Sequence, residues 1–163
     1  MLTRRHLAIC GAAFALAPAL SRRSAADPAT QAFEIVRTDA EWRQRLTPAQ
    51  YEVLRRHGTE RAGSSPLDKT YAPGVYRCAG CGLPLFSSET KYDSGTGWPS
   101  FYAPLENAVG TSTDNKLVYP RTEIHCRRCG GHLGHVFEDG PPPTGKRYCM
   151  NGVALTFVPE PGR

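Results

Sequence analysis

The residues able to do chemistry in this sequence are its cysteines, its histidines and one tryptophan-bearing loop. Six cysteines are present, and four of them form two pairs, Cys78-Ala79-Gly80-Cys81 and Cys126-Arg127-Arg128-Cys129. Two such pairs place four thiolates on two tight turns, the ligand set of a tetrahedral structural zinc, one per chain. Gly80 and Gly82 in the first turn, with Gly130 and Gly131 after the second, let the backbone curl so that its amides approach the sulfurs. With 44 residues between the pairs, the ion would clip a domain together rather than build a small finger. Disulfides are the competing reading, and an oxidising compartment would favour them.

Cys149 is left over, because Cys10 falls in a leader described below. A lone cysteine is ordinarily a small buried apolar residue. Here it stands near His132-Leu133-Gly134-His135 and Asn151, which together offer a nucleophile, a proton donor and an orienting amide. In a strand of alternating faces His132 points opposite to His135, so either the strand bends at Gly134 or only one imidazole reaches a site. The last element is Tyr92-Asp93-Ser94-Gly95-Thr96-Gly97-Trp98-Pro99-Ser100-Phe101, a glycine-rich turn with aromatic packing at its ends. Such a set suits attack by a thiolate on an electrophilic centre with a proton donor beside it.

The elements that position these groups follow from pattern. A chain of 163 residues, 40% hydrophobic and 21% charged, is one globular domain able to bury a core without disulfides. With 16 Gly and 14 Pro, an all-helical bundle is excluded. The first 26 residues carry Arg4, Arg5, Arg22 and Arg23 and no acid. Thr3-Arg4-Arg5-His6-Leu7, an apolar run from Leu7 to Leu20 and Ser24-Ala25-Ala26 read as a twin-arginine-like signal over 1–26, cleaved near Asp27. The expected location is therefore periplasmic, with a membrane-tethered, uncleaved N-terminus as the alternative. Without the leader 16 basic residues face 15 acidic ones, so the charge expected of a nucleic-acid binder disappears.

Residues 27–38 read as a linker. Asp39 can cap a helix over Ala40 to Leu46, and Thr47-Pro48-Ala49-Gln50 opens a second that runs to about Arg56 and stops at Gly58. Beyond residue 70, short β-prone runs appear at Val75 to Cys78, Leu117 to Tyr119, Thr122 to Cys126, His132 to Phe137 and Ala154 to Phe157. The expected class is mainly β and antiparallel, with short N-terminal helices, a domain over 39–158 and a tail over 159–163.

The ordered motifs Ser94-Gly95-Thr96-Gly97-Trp98-Pro99-Ser100-Phe101, Gly131-His132-Leu133-Gly134-His135-Val136-Phe137 and Gly145-Lys146-Arg147-Tyr148-Cys149-Met150-Asn151, set among the cysteine pairs, resemble the B-type methionine sulfoxide reductases. The resemblance covers about Asp39 to Val158. It implies two antiparallel β-sheets clipped by a four-cysteine zinc site and reduction of the R epimer of methionine sulfoxide. Cys149 would be the nucleophile, with His135, His132 and Asn151 at the reacting centre; Trp98, Phe101 and Thr96 would lie at the substrate. Cys149 would be left as a sulfenic acid.

Many members have Cys where this chain has Thr96, and many have Ser where it has Gly152. The first departure removes the internal resolving thiol, so an external one is expected: a small thiol or a thioredoxin-like or glutaredoxin-like partner acting on a monomer. The clients would be oxidised proteins or peptides. Two other classes compete, a cysteine hydrolase built on Cys149, His135 and Asn151 and a noncatalytic zinc module.

Overall fold

The computed structural model describes residues 33–161; the leader, the first half of the linker and the last two residues of the tail lie outside them. Two capped helices come first. In α1 (Asp39–Arg45) the N-cap is Thr38, one residue before the expected Asp39: its hydroxyl takes the Glu41 amide while the Glu41 carboxylate takes the Thr38 amide. Thr47 and Gln50 repeat this reciprocal box at the start of α2 (Pro48–Arg56), which ends at His57 in the left-handed region. Trp42, Tyr51, Val53 and Leu54 are the faces these helices bury. Residues from Phe33, read as linker, are held to the domain: the Ile35 amide donates to the Arg128 carbonyl at 3.0 Å, and Glu34 pairs with Arg127 at 2.6 Å.

Among the described residues nine antiparallel strands follow in two sheets. The smaller has the order β2 (Pro84–Ser87), β1 (Gly74–Cys78), β9 (Leu155–Pro159). The larger runs β3 (Lys91–Tyr92), β4 (Ser100–Phe101), β8 (Arg147–Met150), β7 (His132–Phe137), β6 (Arg121–Cys126), β5 (Val109–Asp114). Tyr76, Phe86, Phe101, Leu85, Ile124, Leu133 and Met150 are fully buried and form the core. Phe86 and Phe101 stack with centroids 4.3 Å apart, and Tyr76 meets Phe101 edge-on at 5.0 Å.

Leu117 to Tyr119 is not a strand. It lies in the connection between β5 and β6 with Leu117, Val118 and Tyr119 exposed. The strand is the preceding Val109–Asp114, whose mostly polar sequence suits its position at the edge of the sheet and hides it from an apolar-run reading.

Register across the large sheet sets one row of residues. Ser112 pairs with Glu123, Glu123 with His135, His135 with Cys149, Cys149 with Ser100, and Ser100 with Tyr92. Directly paired residues project from the same face, about 4.5–5.5 Å apart at Cβ. Gly134, beside this row, pairs with Met150, and a Cβ on it would fall on the Cys149 carbonyl oxygen, far inside contact distance. Gly134→Ala is therefore expected to lower stability by about 1–3 kcal/mol and to shift β8. Denaturant midpoints, compared with the rate of Cys149 alkylation, check both effects.

Candidate active site

His132 and His135 share a face because β7 bulges. Ile124 pairs with Gly134 and His125 with His132, leaving Leu133 as the extra residue. That insertion re-phases the alternation one residue before the expected bend at Gly134. The two imidazole centroids are 5.3 Å apart.

A carboxylate holds each ring. His132 Nδ1 is 2.7 Å from Glu123 Oε1, which also lies 3.0 Å from His57 Nδ1. This engages Nδ1 of His132 and leaves its buried Nε2 without a hydrogen-bond partner among the described residues. His135 Nε2 is 2.7 Å from Asp114 Oδ2, and the same oxygen accepts from Arg121 at 2.7 Å. Burial pushes the pKa of His135 down, with Asp114 pulling the other way and Arg121 adding to the fall. Asp114 itself is held well below the usual carboxylate range by the Lys116 amide, His135 and Arg121.

Cys149 is partly buried, and desolvation raises its pKa against the opposing influence of the Thr96 hydroxyl and the Arg147 charge. Its Sγ lies 3.9 Å from Thr96 Oγ1. The Thr96, Ser94 and Ser100 hydroxyls continue as a chain with links of 2.8 and 2.7 Å. Cys149 and His135 line one cavity of about 120 Å³ with Trp98, Arg121, Phe137 and Asn151. The Trp98 indole donates to the Glu60 carbonyl at 3.2 Å, which fixes the ring as a wall.

Asn151 does more bracing than its side-chain type alone suggests. Its amide nitrogen donates to the Leu133 carbonyl at 3.0 Å and its oxygen accepts from the Glu60 amide at 2.9 Å. The Glu60 carboxylate in turn accepts from the Gly152 and Val153 amides at 2.5 and 2.9 Å. A side chain at 152 would overlap Ser65, so the glycine matches this neighbour.

Phe101 is a correction. It neighbours Ser100, so alternation turns it to the other face of the sheet, into the stack with Phe86 and away from the cavity. A larger apolar cavity of about 670 Å³, lined in part by Val53, Leu67, Val153 and Phe157, does not include Cys149.

The paired cysteines converge at the ends of β1 and β6. In both turns the first Cys amide donates to a carbonyl five residues on, Leu83 or Gly131, and its carbonyl accepts from the amide four residues on, Gly82 or Gly130. Gly82 and Gly130 both adopt the left-handed conformation (φ 74° and 67°) that this turn requires. Cys78 and Cys129 sulfurs are 3.7 Å apart, Cys81 and Cys126 sulfurs 3.5 Å, and all four lie within 4.8 Å of one another. Disulfide sulfurs would be about 2.05 Å apart. Tetrahedral metal–sulfur bonds of about 2.3 Å put sulfurs roughly 3.8 Å apart, so the four can hold one metal ion joining the two sheets.

Comparison with known proteins decides the family. A family model described as the SelR domain matches residues 46–159. The chain is 53% identical over 127 residues to the peptide methionine sulfoxide reductase MsrB of Agrobacterium fabrum, spanning 77% of this chain and 94% of that protein. It is 57% identical over 125 residues to the protein of the same name in Thiobacillus denitrificans, 76% and 95% of the two chains. The chain belongs to the B-type methionine sulfoxide reductases.

Within this family member, four site residues escaped sequence reasoning. Glu60, Asp114, Arg121 and Glu123 act through partners set by register and tertiary packing; Arg121 and Glu123 lie within β6, whose mixed sequence Arg-Thr-Glu-Ile-His-Cys does not mark them out. The Glu123 carboxyl is driven to about 2 from an ordinary 4.5: desolvation raises it, but His132, Ser112 and His57 outweigh that. A depressed pKa gives stabilisation complete above 4.5 that is lost as pH falls through 2. Glu123→Gln should cost roughly 1.5–3 kcal/mol above the unfolded carboxyl pKa, a deficit that narrows on acidification. Urea midpoints of both proteins across that range test it.

Proposed function

We propose that this protein reduces the R epimer of methionine sulfoxide in polypeptides to methionine, through Cys149 and at the expense of an external thiol. The observation that carries this reading is the pairing of Cys149 with carboxylate-held His135 in one small cavity walled by Trp98. Sulfoxide sulfur is electrophilic, and its oxygen must be protonated to leave.

Opposite shifts favour a neutral thiol and imidazole at rest. As Cys149 attacks, its proton passes to His135 and on to the oxygen, while Asp114 steadies the transient imidazolium. In the net step the thiol and sulfoxide give a sulfenic acid on Cys149 and methionine. Cys149 sulfur is oxidised by two electrons and the methionine sulfur is reduced by two. Trp98 packs against the S-methyl group, a contact worth about 0.3–1.5 kcal/mol. His132, oriented by Glu123, offers its free Nε2 to the departing oxygen.

Thr96 beside Cys149 supplies no thiol. An external thiol therefore condenses with the sulfenic acid, giving a mixed disulfide and water; a second thiol releases Cys149. A thioredoxin-like or glutaredoxin-like protein or a small thiol fills this role, and the enzyme acts as a monomer. Zinc fits the Cys78, Cys81, Cys126 and Cys129 set. It contributes to folding by clipping the sheets and takes no part in the reaction. The twin-arginine-like leader, outside the described residues, supports export to the periplasm already folded, with the thiols protected by the metal; an uncleaved leader would instead tether the enzyme.

With dithiothreitol, methionine should form from the R epimer and not from the S epimer. Cys149→Ser should abolish turnover and keep about one zinc per chain, whereas Cys129→Ser should lose metal and stability first. Methionine formation by Cys149→Ser, or zinc loss in step with activity, would refute the assignment. On recycling, Thr96→Cys should form a disulfide with Cys149 after one turnover while retaining zinc. In the wild-type chain, a disulfide between Cys149 and a zinc cysteine, with metal release, would overturn external resolution.

A further inference from the structure

The connection between β5 and β6 carries three consecutive large apolar residues in water, with Leu117 47%, Val118 105% and Tyr119 62% exposed. A run of this kind on the surface is unfavourable unless something covers it. Its two ends are in the active site. Asp114, last residue of β5, holds His135; Arg121, first residue of β6, shares that carboxylate and lines the Cys149 cavity. Tyr119 is two residues from Arg121, hence at most about 7 Å along the chain, and Leu117 at most about 14 Å.

The cavity indicates what lies outside it. At about 120 Å³ it admits the methyl sulfoxide end of one side chain, well short of the roughly 300–1,000 Å³ of sites that enclose a whole small ligand. The backbone and neighbours of a polypeptide substrate must therefore lie across the protein surface beside the cavity mouth. Methionine is mostly a buried residue, and its oxidation turns an apolar side chain polar and disrupts cores. A segment bearing an accessible sulfoxide thus brings other exposed apolar side chains with it.

We propose that Leu117, Val118 and Tyr119 form a docking platform for the apolar side chains flanking methionine sulfoxide in an extended, unfolded client segment. The inference rests on the reductase reading and names its substrate class. At about 3.3 Å per residue, client side chains two to four positions from the sulfoxide reach the platform. Docking there also bears on the strand ends that carry Asp114 and Arg121.

The test uses the zinc-loaded protein and three substrates: N-acetyl-methionine-R-sulfoxide, an unstructured peptide with a central methionine-R-sulfoxide flanked by Leu and Phe, and the same peptide with Ser flanks. The wild-type chain should turn over the apolar-flanked peptide with about tenfold higher kcat/KM than the Ser-flanked one, and the triple variant Leu117→Ser, Val118→Ser, Tyr119→Ser should lose that advantage while staying within about twofold on the small substrate. Val118→Ser alone, which removes a fully exposed side chain, should lose part of the advantage. Equal rates on both peptides in the wild-type chain would overturn the proposal. So would equal loss by the triple variant on all three substrates, which would make the loop a mere support for Asp114 and Arg121. A concentration-dependent dimer abolished by the triple variant would assign the surface to a second copy instead. Failure of the wild-type chain to reduce the small substrate at all would reject the reductase reading itself.

Discussion

The active site depends on hydrogen-bond register across the six-stranded sheet. Because β6, β7, β8 and β4 pair as they do, Glu123, His135, Cys149 and Ser100 fall in one row, each from a different strand. A slip of one residue would turn Cys149 to the other face, where Phe101 and Tyr148 now sit beside Phe86. The core packing that fixes the register and the chemistry that uses it are opposite faces of the same strands. The Leu133 bulge is the one irregularity this row needs, since it brings His132 to the side of His135.

Two devices tie the remaining parts to that sheet. The cysteine cluster joins the end of β1, in the small sheet, to the end of β6, in the large one. On the other side Glu60 links segments remote in sequence: its carbonyl takes the Trp98 indole, its amide meets Asn151, and its carboxylate caps the Gly152 and Val153 amides. Trp98 therefore stands over the cavity for backbone reasons, independent of any substrate. Desolvation then tunes the site, raising the Cys149 pKa and lowering that of His135. Buried Glu123 and half-buried Asp114 keep the two rings oriented where water would otherwise compete.

What was legible in the sequence follows from which interactions are local. The Cys-x-x-Cys turns, the Thr47 capping box and the strands around Cys78, Cys126 and His132 are written in residues a few positions apart; the cap of the first helix lies at Thr38, one residue before the acidic residue that competes for it. Strands β3 and β4 are only two residues long, too short for any period, and β5 is polar because it sits at an edge. Apolar character at Leu117 to Tyr119 misled for the converse reason, since it marks a surface and not a ladder. Phe101 was misplaced by its proximity to Trp98 along the chain; alternation in a strand not foreseen sends it to the core. Glu60, Asp114, Arg121 and Glu123 could not be read because their partners are set by register and tertiary packing.

On the proposed reading Cys149 receives the sulfoxide oxygen at a site assembled by this register. The most direct test is mass analysis of the Cys149-containing peptide after the reduced, zinc-loaded protein meets one equivalent of methionine-R-sulfoxide peptide without reductant and is trapped with dimedone. One methionine should form per chain, with the dimedone adduct on Cys149 and zinc retained. Methionine formed while Cys149 stays unmodified, or an adduct on one of the four paired cysteines with zinc released, would contradict that reading.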